Sequence, residues 1–226
     1  MIARAATPVS GALTLDTPSI DPKKRQPSGF IKPCLPSKVS RPPSGVLWVH
    51  EIKHDGYRLM VRREGPRVRC FTRNGNDWAD RFPSIVEAAL LIKATSFLID
   101  GEVVIIGDDG TPDFRALRNQ SREAMLVAFD LIAHNGNDLR NLPLLKRKQR
   151  LARLIGNPRT WRAIQYCDHL TGDGPTVFAH VCRMGLEGIV SKRTDAPYRS
   201  GPSSTWLKSK NPASEAVRRE REEEWR

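Results

Sequence analysis

The sequence predicts an α+β fold whose sheets are mixed, largely antiparallel and flanked by helices. Short apolar runs rich in β-branched residues are separated by tight turns containing glycine or proline, so neighbouring strands are expected to pair directly. Two longer stretches, 80–94 and 143–155, instead repeat apolar residues at helical spacing. The 226 residues can bury one good core or two small ones, so we expect one main domain.

The first predicted hairpin holds the most informative stretch of the chain, the hexapeptide KHDGYR at 53–58. Apolar runs precede and follow it, and Asp-Gly favours a tight turn between two strands. Because side chains alternate along a strand, Glu51, Lys53 and Asp55 are expected on one face. A lysine presented in this way could carry a nucleotide covalently. Taken alone, however, the pattern is more typical of an ordinary hairpin with a solvated lysine.

The remaining elements follow from local patterns, in chain order. A strand at 68–72 comes after a Gly-Pro turn and places Arg73 at its tip, where site residues are common. The helix at 80–94 has Pro83 near its start, as helices prefer. Further strands are expected at 97–106, 124–132, 161–166, 188–192 and 205–210, and further helices at 143–155 and 175–184.

Acidic residues interrupt two of the apolar strands. Asp100 and Glu102 lie within the strand at 97–106, and Asp130 lies near the end of the strand at 124–132. A buried carboxylate is tolerated only beside a cation or a hydrogen-bond donor. These interruptions therefore predict a chemical or structural partner for each acid.

The chain is strongly basic, with a formal net charge of +12 and a pI near 10.0. Such a charge favours a polyanionic partner, most commonly nucleic acid, although a basic solvated surface is the alternative. The predicted helix at 143–155 contributes five basic residues, and a solvated face or a DNA-facing surface fits it equally well. These residues are Lys146, Arg147, Lys148, Arg150 and Arg153.

The cysteine pattern predicts an intracellular protein with reduced thiols. Cys34, Cys70, Cys167 and Cys182 have neither paired nor zinc-like spacing, so no disulfide framework or metal site is expected. No apolar run is long enough to span a bilayer, and the N-terminus lacks the apolar core of a signal peptide. We therefore expect a cytoplasmic protein, associated with the nucleoid when DNA is bound, and no membrane partner.

Further motifs follow Lys53 in a set order. They are Arg73-Asn74-Gly75, Leu98-Ile99-Asp100-Gly101-Glu102, Phe129-Asp130, Glu187-Gly188-Ile189-Val190 and Trp206-Leu207-Lys208-Ser209-Lys210. In this order and at these separations the chain resembles the nucleotidyltransferase motifs of ATP-dependent DNA ligases, particularly the ligase modules of bacterial end-joining enzymes. The resemblance covers about residues 30–212 and implies an ATP-grasp-like adenylation domain, whose lysine takes AMP from ATP and releases pyrophosphate.

Matched residue by residue, the resemblance implies roles for nine side chains. They are Lys53 as the nucleophile, Arg58 and Arg73 on ribose or phosphate oxygens, Glu51 on the adenine amino group, Glu102 on the ribose or a metal-bound water, Phe129 stacked on adenine, Glu187 on the metal, and Lys208 and Lys210 on the α-phosphate. Each has a structural alternative when taken singly, namely core packing for the aromatic ring and surface or salt-bridge roles for the charges. Asp55 and Asp100 are expected to support the turn and local hydrogen bonds.

The implied chemistry makes further demands. A lysine attacks phosphorus only as the free amine, so its pKa must fall from about 10.4 towards 7 or 8. Lys208 and Lys210 lie two apart on a strand, so they share a face and could supply both the necessary positive field and a clamp on the phosphate. Carboxylates and phosphate oxygens are the ligands that Mg²⁺ prefers, so ATP with Mg²⁺ held by Glu102 and Glu187 is the expected cofactor pair. Glu51 favours ATP over GTP, since a carboxylate would repel the guanine carbonyl.

The expected substrate is nicked or broken duplex DNA, gripped through its backbone without sequence readout. We expect a flexible tail at 1–29, the adenylation domain at 30–211 and a short charged helix at 212–226, with no oligonucleotide-binding (OB) barrel of the kind that follows in family ligases. Independent nick sealing is therefore in doubt. A separate OB-fold, polymerase or end-binding protein is the expected partner. The alternatives are a binding module without sealing activity and an RNA ligase or capping-type nucleotidyltransferase, which Glu51 argues against.

Overall fold

The computed structural model describes residues 29–107, 110–119, 123–156 and 163–224. The predicted N-terminal tail lies outside these residues except at position 29, and so do the first two positions of the strand predicted at 161–166. The division of the chain into tail, domain and terminal helix stays a prediction.

The described residues form ten strands. In chain order they are β1 (Cys34–Lys38), β2 (Trp48–Ile52), β3 (Tyr57–Glu64), β4 (Arg67–Thr72), β5 (Ser96–Val104), β6 (Met125–His134), β7 (Asn137–Asp138), β8 (Ile164–Tyr166), β9 (Gly188–Arg193) and β10 (Gly201–Lys210). The helices are α1 (Pro83–Leu91), α2 (Phe114–Asn119), α3 (Leu144–Ile155), α4 (Gly174–Arg183) and α5 (Glu215–Glu224), and a 3₁₀ turn at Ala79–Arg81 precedes α1.

The strands form two sheets. The smaller has the order β1-β10-β9-β2, and the larger has the order β4-β3-β5-β6-β7, with β8 beside β6. All pairings are antiparallel except β1 with β10 and β6 with β8, which are parallel. The prediction of mixed, largely antiparallel sheets flanked by helices is confirmed.

The predicted helices are confirmed with small shifts of their ends. The stretch at 80–94 divides into the 3₁₀ turn and α1, and Pro83 is the first residue of α1. The stretches at 143–155 and 175–184 correspond to α3 and α4. Among the described residues no helix is long and apolar enough to cross a membrane. All four cysteines are free.

The hairpin predicted around Asp55-Gly56 is wrong. β2 pairs with β9 in the smaller sheet, whereas β3 pairs with β4 and β5 in the larger one. Residues 53–56 therefore cross from one sheet to the other. The flanking apolar runs are real strands, but a local Asp-Gly signal does not distinguish a hairpin from a crossing between sheets.

The environment expected for the basic run of α3 is wrong for two of its five residues. Arg147 and Lys148 are buried, with 0% and 1% of their surface exposed. Arg147 forms two hydrogen bonds of 2.8 Å with Asp130, which explains the acid in that apolar strand. Lys148 forms a buried ion pair with Glu51. Neither a solvated face nor a DNA-facing surface describes these two residues, because the helix turns them towards the sheets.

Two apolar cores lie on opposite faces of the larger sheet. Alternation along β3 sends Leu59 and Val61 into one core, with α1 and α3, and Met60 into the other. The second core also contains Val49 and Trp206 from the smaller sheet, so it fills the space between the two sheets. The two sheets are thereby held together by this shared core.

A test of the crossing follows from the packing of Gly56. A Cβ atom there would lie 2.0 Å from the carbonyl oxygen of Val103 in β5, so Gly56→Ala must push the crossing away from the larger sheet. We expect it to lower the free energy of unfolding by about 3 kcal/mol, as overpacking does. Gly136→Ala is the control, because that site has a positive φ of 80° but nothing within 4 Å, and it should cost about 1 kcal/mol. Equal losses in urea unfolding would contradict the close approach.

Candidate functional site

A cavity of about 350 Å³ opens between the two sheets. Its walls come from β1, β2, β9 and β10 on one side and from β3, β5 and β6 on the other. Seven of the nine predicted site residues line it, namely Glu51, Lys53, Arg58, Arg73, Glu102, Phe129 and Lys208. Of the remaining two, Glu187 pairs with Lys53, and Lys210 lies near Glu187.

The pair formed by Lys53 and Glu187 stands at the mouth of this cavity. Lys53 directly follows β2 and Glu187 directly precedes β9, so the antiparallel pairing of these strands brings the two residues together. The Lys53 Nζ lies 2.6 Å from Glu187 Oε1, and the Lys53 backbone N–H donates to the carbonyl of Gly188 at 2.9 Å. Lys210 Nζ lies 4.0 Å from the same Glu187 oxygen. One carboxylate thus faces two lysines.

Glu102 lines the same cavity and supplies a second carboxylate. Burial raises the pKa of Glu102 to about 7, although Arg58 and Lys53 act in the opposite direction. Burial also raises the pKa of Glu187, again against the effect of Lys53. Burial therefore disfavours the charged form of both carboxylates, although basic side chains lie near each of them.

The residues present fit a magnesium ion. Glu187 Oε2 is buried without a hydrogen-bond partner in the described part of the chain, so one oxygen is left for a further cation. No group of three or more His, Cys, Asp or Glu side chains among the described residues could hold a metal by itself. Two carboxylates are nevertheless what Mg²⁺ usually takes from a protein when a nucleotide supplies other oxygens.

Arg58 is held rigidly over the cavity. Its guanidinium donates to both oxygens of Asp100, at 2.6 and 2.7 Å, and lies 4.5 Å from the Phe129 ring centroid. Asp100 in turn accepts a 2.6 Å hydrogen bond from the hydroxyl of Tyr198, which itself accepts from the backbone N–H of Cys34. The chain of contacts joins both sheets, so Asp100 supports local hydrogen bonds, as expected.

Glu51 is buried inside the cavity wall between two lysines. Lys148 Nζ donates to Glu51 Oε1 at 2.5 Å and to the carbonyl of Cys167 at 2.8 Å, and Lys192 contacts the other Glu51 oxygen. Burial alone would raise the pKa of Glu51, but Lys192 and Lys148 lower it below its usual range. An adenine amino group would therefore share this carboxylate with two ammonium groups. Selection of ATP by Glu51 stays a prediction.

An aromatic wall closes the same side. Phe129 is 8% exposed and its ring meets Trp206 edge-on at 6.0 Å between centroids. Lys192 Nζ lies 4.2 Å from the first ring and 3.9 Å from the second. Phe129 thus packs in the core and also borders the cavity. Its surroundings fit both core packing and a surface against which adenine could stack.

Sequence reasoning missed four residues that shape the site: Lys148, Lys192, Tyr198 and Arg219. The burial of Lys148 could have been predicted, since it falls on the same helical stripe as Leu144 and Leu151 of α3. No local pattern marks the other three.

The arrangement can bind a nucleotide and present a lysine to its phosphate. Aromatic and apolar side chains line one part of the cavity, while Lys53, Lys208 and Arg73 supply positive charge and Glu102 supplies a carboxylate. Such a combination is suited to nucleotidyl transfer.

Comparison with known proteins identifies the family. A family model described as ATP dependent DNA ligase domain matches residues 38–210. The chain belongs to this family.

Individual relatives agree. The chain is 39% identical to the multifunctional non-homologous end joining protein LigD of Pseudomonas aeruginosa, over 86% of this chain and 24% of that protein. It is 34% identical to a probable DNA ligase of Streptomyces coelicolor, over 93% of this chain and 45% of that protein. The chain therefore spans less than half the length of these curated relatives.

Solved structures confirm the fold. The ligase domain from M. tuberculosis LigD superposes with a TM-score of 0.68 and 28% identity, covering 79% of this chain and 60% of that one. A mycobacterial DNA ligase D complexed with ATP and MES superposes with a TM-score of 0.67 and 28% identity, covering 79% and 59%. The predicted adenylation-domain fold is confirmed.

The raised pKa of Glu102 predicts a pH-dependent stability. Between its usual value of 4.5 and about 7, the folded protein holds a proton that the unfolded chain has lost, so the free energy of unfolding falls as pH rises through this window. Glu102→Gln cannot ionise, and we expect it to be more stable than the parent at pH 8 by on the order of 1 kcal/mol, since the side chain is only partly shielded.

The measurement is urea unfolding of both proteins at pH 5 and pH 8, with the exposed Glu87→Gln as the control. The gain should be larger at pH 8. A gain that is the same at both pH values would show that the Glu102 carboxyl titrates normally.

Proposed function

We propose that this chain is the adenylation module of an ATP-dependent DNA ligase, which forms a lysyl-AMP at Lys53 and passes AMP to a 5′-phosphate of nicked or broken duplex DNA. The observation that carries the proposal is the position of Lys53, at the mouth of a nucleotide-sized cavity and paired with Glu187. Family membership over residues 38–210 supports the same reaction.

In this proposal the nucleotide lies in the cavity with its base against Phe129. Arg58 is already fixed over that ring by Asp100, so it needs no further ordering to meet a ribose or phosphate oxygen. Arg73 and Lys208 line the same cavity and neutralise phosphate charge. The base edge lies towards Glu51 and Lys192, where an acceptor and a donor stand side by side.

Lys53 must give up its proton before it can attack the α-phosphorus. Its partner Glu187 stabilises the ammonium form, so that ion pair has to weaken. Lys210 lies 4.0 Å from the same oxygen and can take over the pairing, which removes the stabilisation of the Lys53 ammonium. Lys53 is 21% exposed, so its proton can then pass to solvent and leave the free amine. A magnesium ion held by Glu102 and Glu187 would supply neutralisation of the triphosphate. The new N–P bond forms on Lys53 as the bond to pyrophosphate breaks.

The proposed action on DNA is supported by the net charge of the chain and by the family to which it belongs. A net charge of +12 suits backbone contacts that do not depend on sequence. We propose that the module works on DNA breaks in the bacterial cytoplasm, as part of repair or recombination, and that OB-fold, polymerase or end-binding functions are supplied with it. Relatives named as multifunctional end-joining proteins support this setting.

The decisive test is covalent labelling of Lys53. Incubation with ATP and Mg²⁺, followed by intact-mass measurement, should find one AMP per chain on the parent protein and none on Lys53→Arg. The arginine keeps the positive charge beside Glu187 but cannot act as the nucleophile, because it stays protonated. Lys146→Arg, at an exposed position on α3, is the control and should label like the parent.

Addition of a nicked duplex with a 5′-phosphate should then remove AMP from the labelled parent. The same amount of AMP on Lys53→Arg as on the parent would rule out Lys53 as the nucleophile. AMP that stays on the protein with every DNA end offered would rule out DNA as the acceptor.

A further inference from the structure

The segment that follows the last strand contacts the two stretches of chain that carry Lys53 and Glu187. Asn211 comes directly after β10, and its backbone N–H donates to the carbonyl of Glu187 at 2.8 Å. Its side-chain amide donates to the carbonyl of Leu186 at 3.0 Å. Asn211 is 4% exposed, so these contacts are shielded from water. One end of the segment therefore holds the loop that carries Glu187.

The other end of the segment holds the crossing that carries Lys53. Arg219 on α5 donates from Nη2 to both carboxylate oxygens of Asp55, at 2.7 and 2.5 Å. Its guanidinium also lies 4.1 Å from the ring centroid of Phe114. Asp55 is two residues beyond Lys53, within the short crossing between the sheets.

The segment between these ends is itself anchored. Val217 and Ser214 are 5% and 4% exposed, and the Ser214 hydroxyl accepts from the backbone N–H of Val217 at the start of α5. A hydroxyl in this position satisfies one of the unpaired N–H groups of the first helical turn. The helix is therefore fixed by its own cap and by an apolar contact, and Arg219 is carried to Asp55 on a rigid support.

The Arg219–Asp55 pair is expected to act through geometry and not through its contribution to the free energy of unfolding. The two side chains are 26% and 21% exposed, and ion pairs of this kind contribute little to stability. Their geometric effect is larger, since a shift of about 1 Å at a reacting group can cost on the order of a hundredfold in rate. The crossing is held by the smaller sheet at Lys53 and by the larger sheet at Gly56, and Arg219 adds a third fixed point between them.

We propose that Arg219 is a positioning residue for AMP transfer, and that residues 211–219 fix the backbone that carries Lys53 and Glu187, so that the Lys53 side chain is directed at the nucleotide cavity. The proposal rests on the proposed function of Lys53. α5 borders a second cavity of about 640 Å³, which Lys53 also lines, and none of the α5 side chains that the structure describes lines the nucleotide cavity. Loss of Arg219 should therefore change the reaction rate and leave nucleotide affinity alone.

The test is the rate of lysyl-AMP formation in the full chain across a range of ATP concentrations. Arg219→Gln should lower the rate at saturating ATP by about tenfold or more, while the half-saturating ATP concentration changes less than about twofold. Arg219→Lys should recover part of the rate, because an ammonium can still meet one Asp55 oxygen. Arg218→Gln is the matched control, since it removes the same charge from an exposed position of α5 and should behave like the parent.

Three results would overturn the proposal. These are equal rates for Arg219→Gln and Arg218→Gln, a faster rate for Arg219→Gln, and a raised half-saturating ATP concentration with an unchanged saturating rate. Asp55→Asn gives an independent check, because it should match Arg219→Gln and the double variant should lose no more than either. If Arg219→Gln does not fold, Arg219→Lys and Asp55→Asn decide the matter by the same criteria. A parent protein that forms no lysyl-AMP would instead refute the proposed function.

Discussion

The ion pair between Lys53 and Glu187 is set by strand pairing within the smaller sheet, and the rest of the site is arranged around it. Lys53 directly follows β2 and Glu187 directly precedes β9, so the antiparallel pairing of these strands brings the two side chains to 2.6 Å. The chain then crosses at once to the larger sheet, which supplies Arg58 and Glu102. A cleft between sheets is a natural place for such chemistry, because each sheet is rigid and the groups from one can face those from the other.

Charge compensation separates the acids that hold the frame from those that face the reaction. Asp100, Asp130 and Glu51 are buried, and each meets an arginine or a lysine pair in close contact. Such pairs add little net stability but are costly to break, so they fix positions. Glu102 and Glu187 have raised pKa values in spite of the lysine and arginine near them. The protein thus leaves these two carboxylates able to gain from a further cation.

Sequence reasoning predicted most of the elements because apolar periodicity is a local property. It failed at 53–56, where a turn signal was assigned to a hairpin although the strands belong to different sheets. It also failed for Lys148, which was expected on a solvated or DNA-facing surface because of its charge, although its position on the apolar stripe of α3 favours burial. The contact of Lys148 with Glu51 joins residues 97 positions apart, so no local pattern contains it. The ordered motifs from Lys53 to Lys210 were more informative than any element, because chemistry constrains them together.

The most direct test of this account is a crystal structure of the full chain soaked with ATP and Mg²⁺. We expect continuous density from Lys53 Nζ to the phosphorus of AMP, the adenine against the Phe129 ring, and Glu187 no longer paired with Lys53. A nucleotide bound outside the cleft between the sheets, or one inside it with Lys53 still paired to Glu187 and no bond to phosphorus after full incubation, would contradict it.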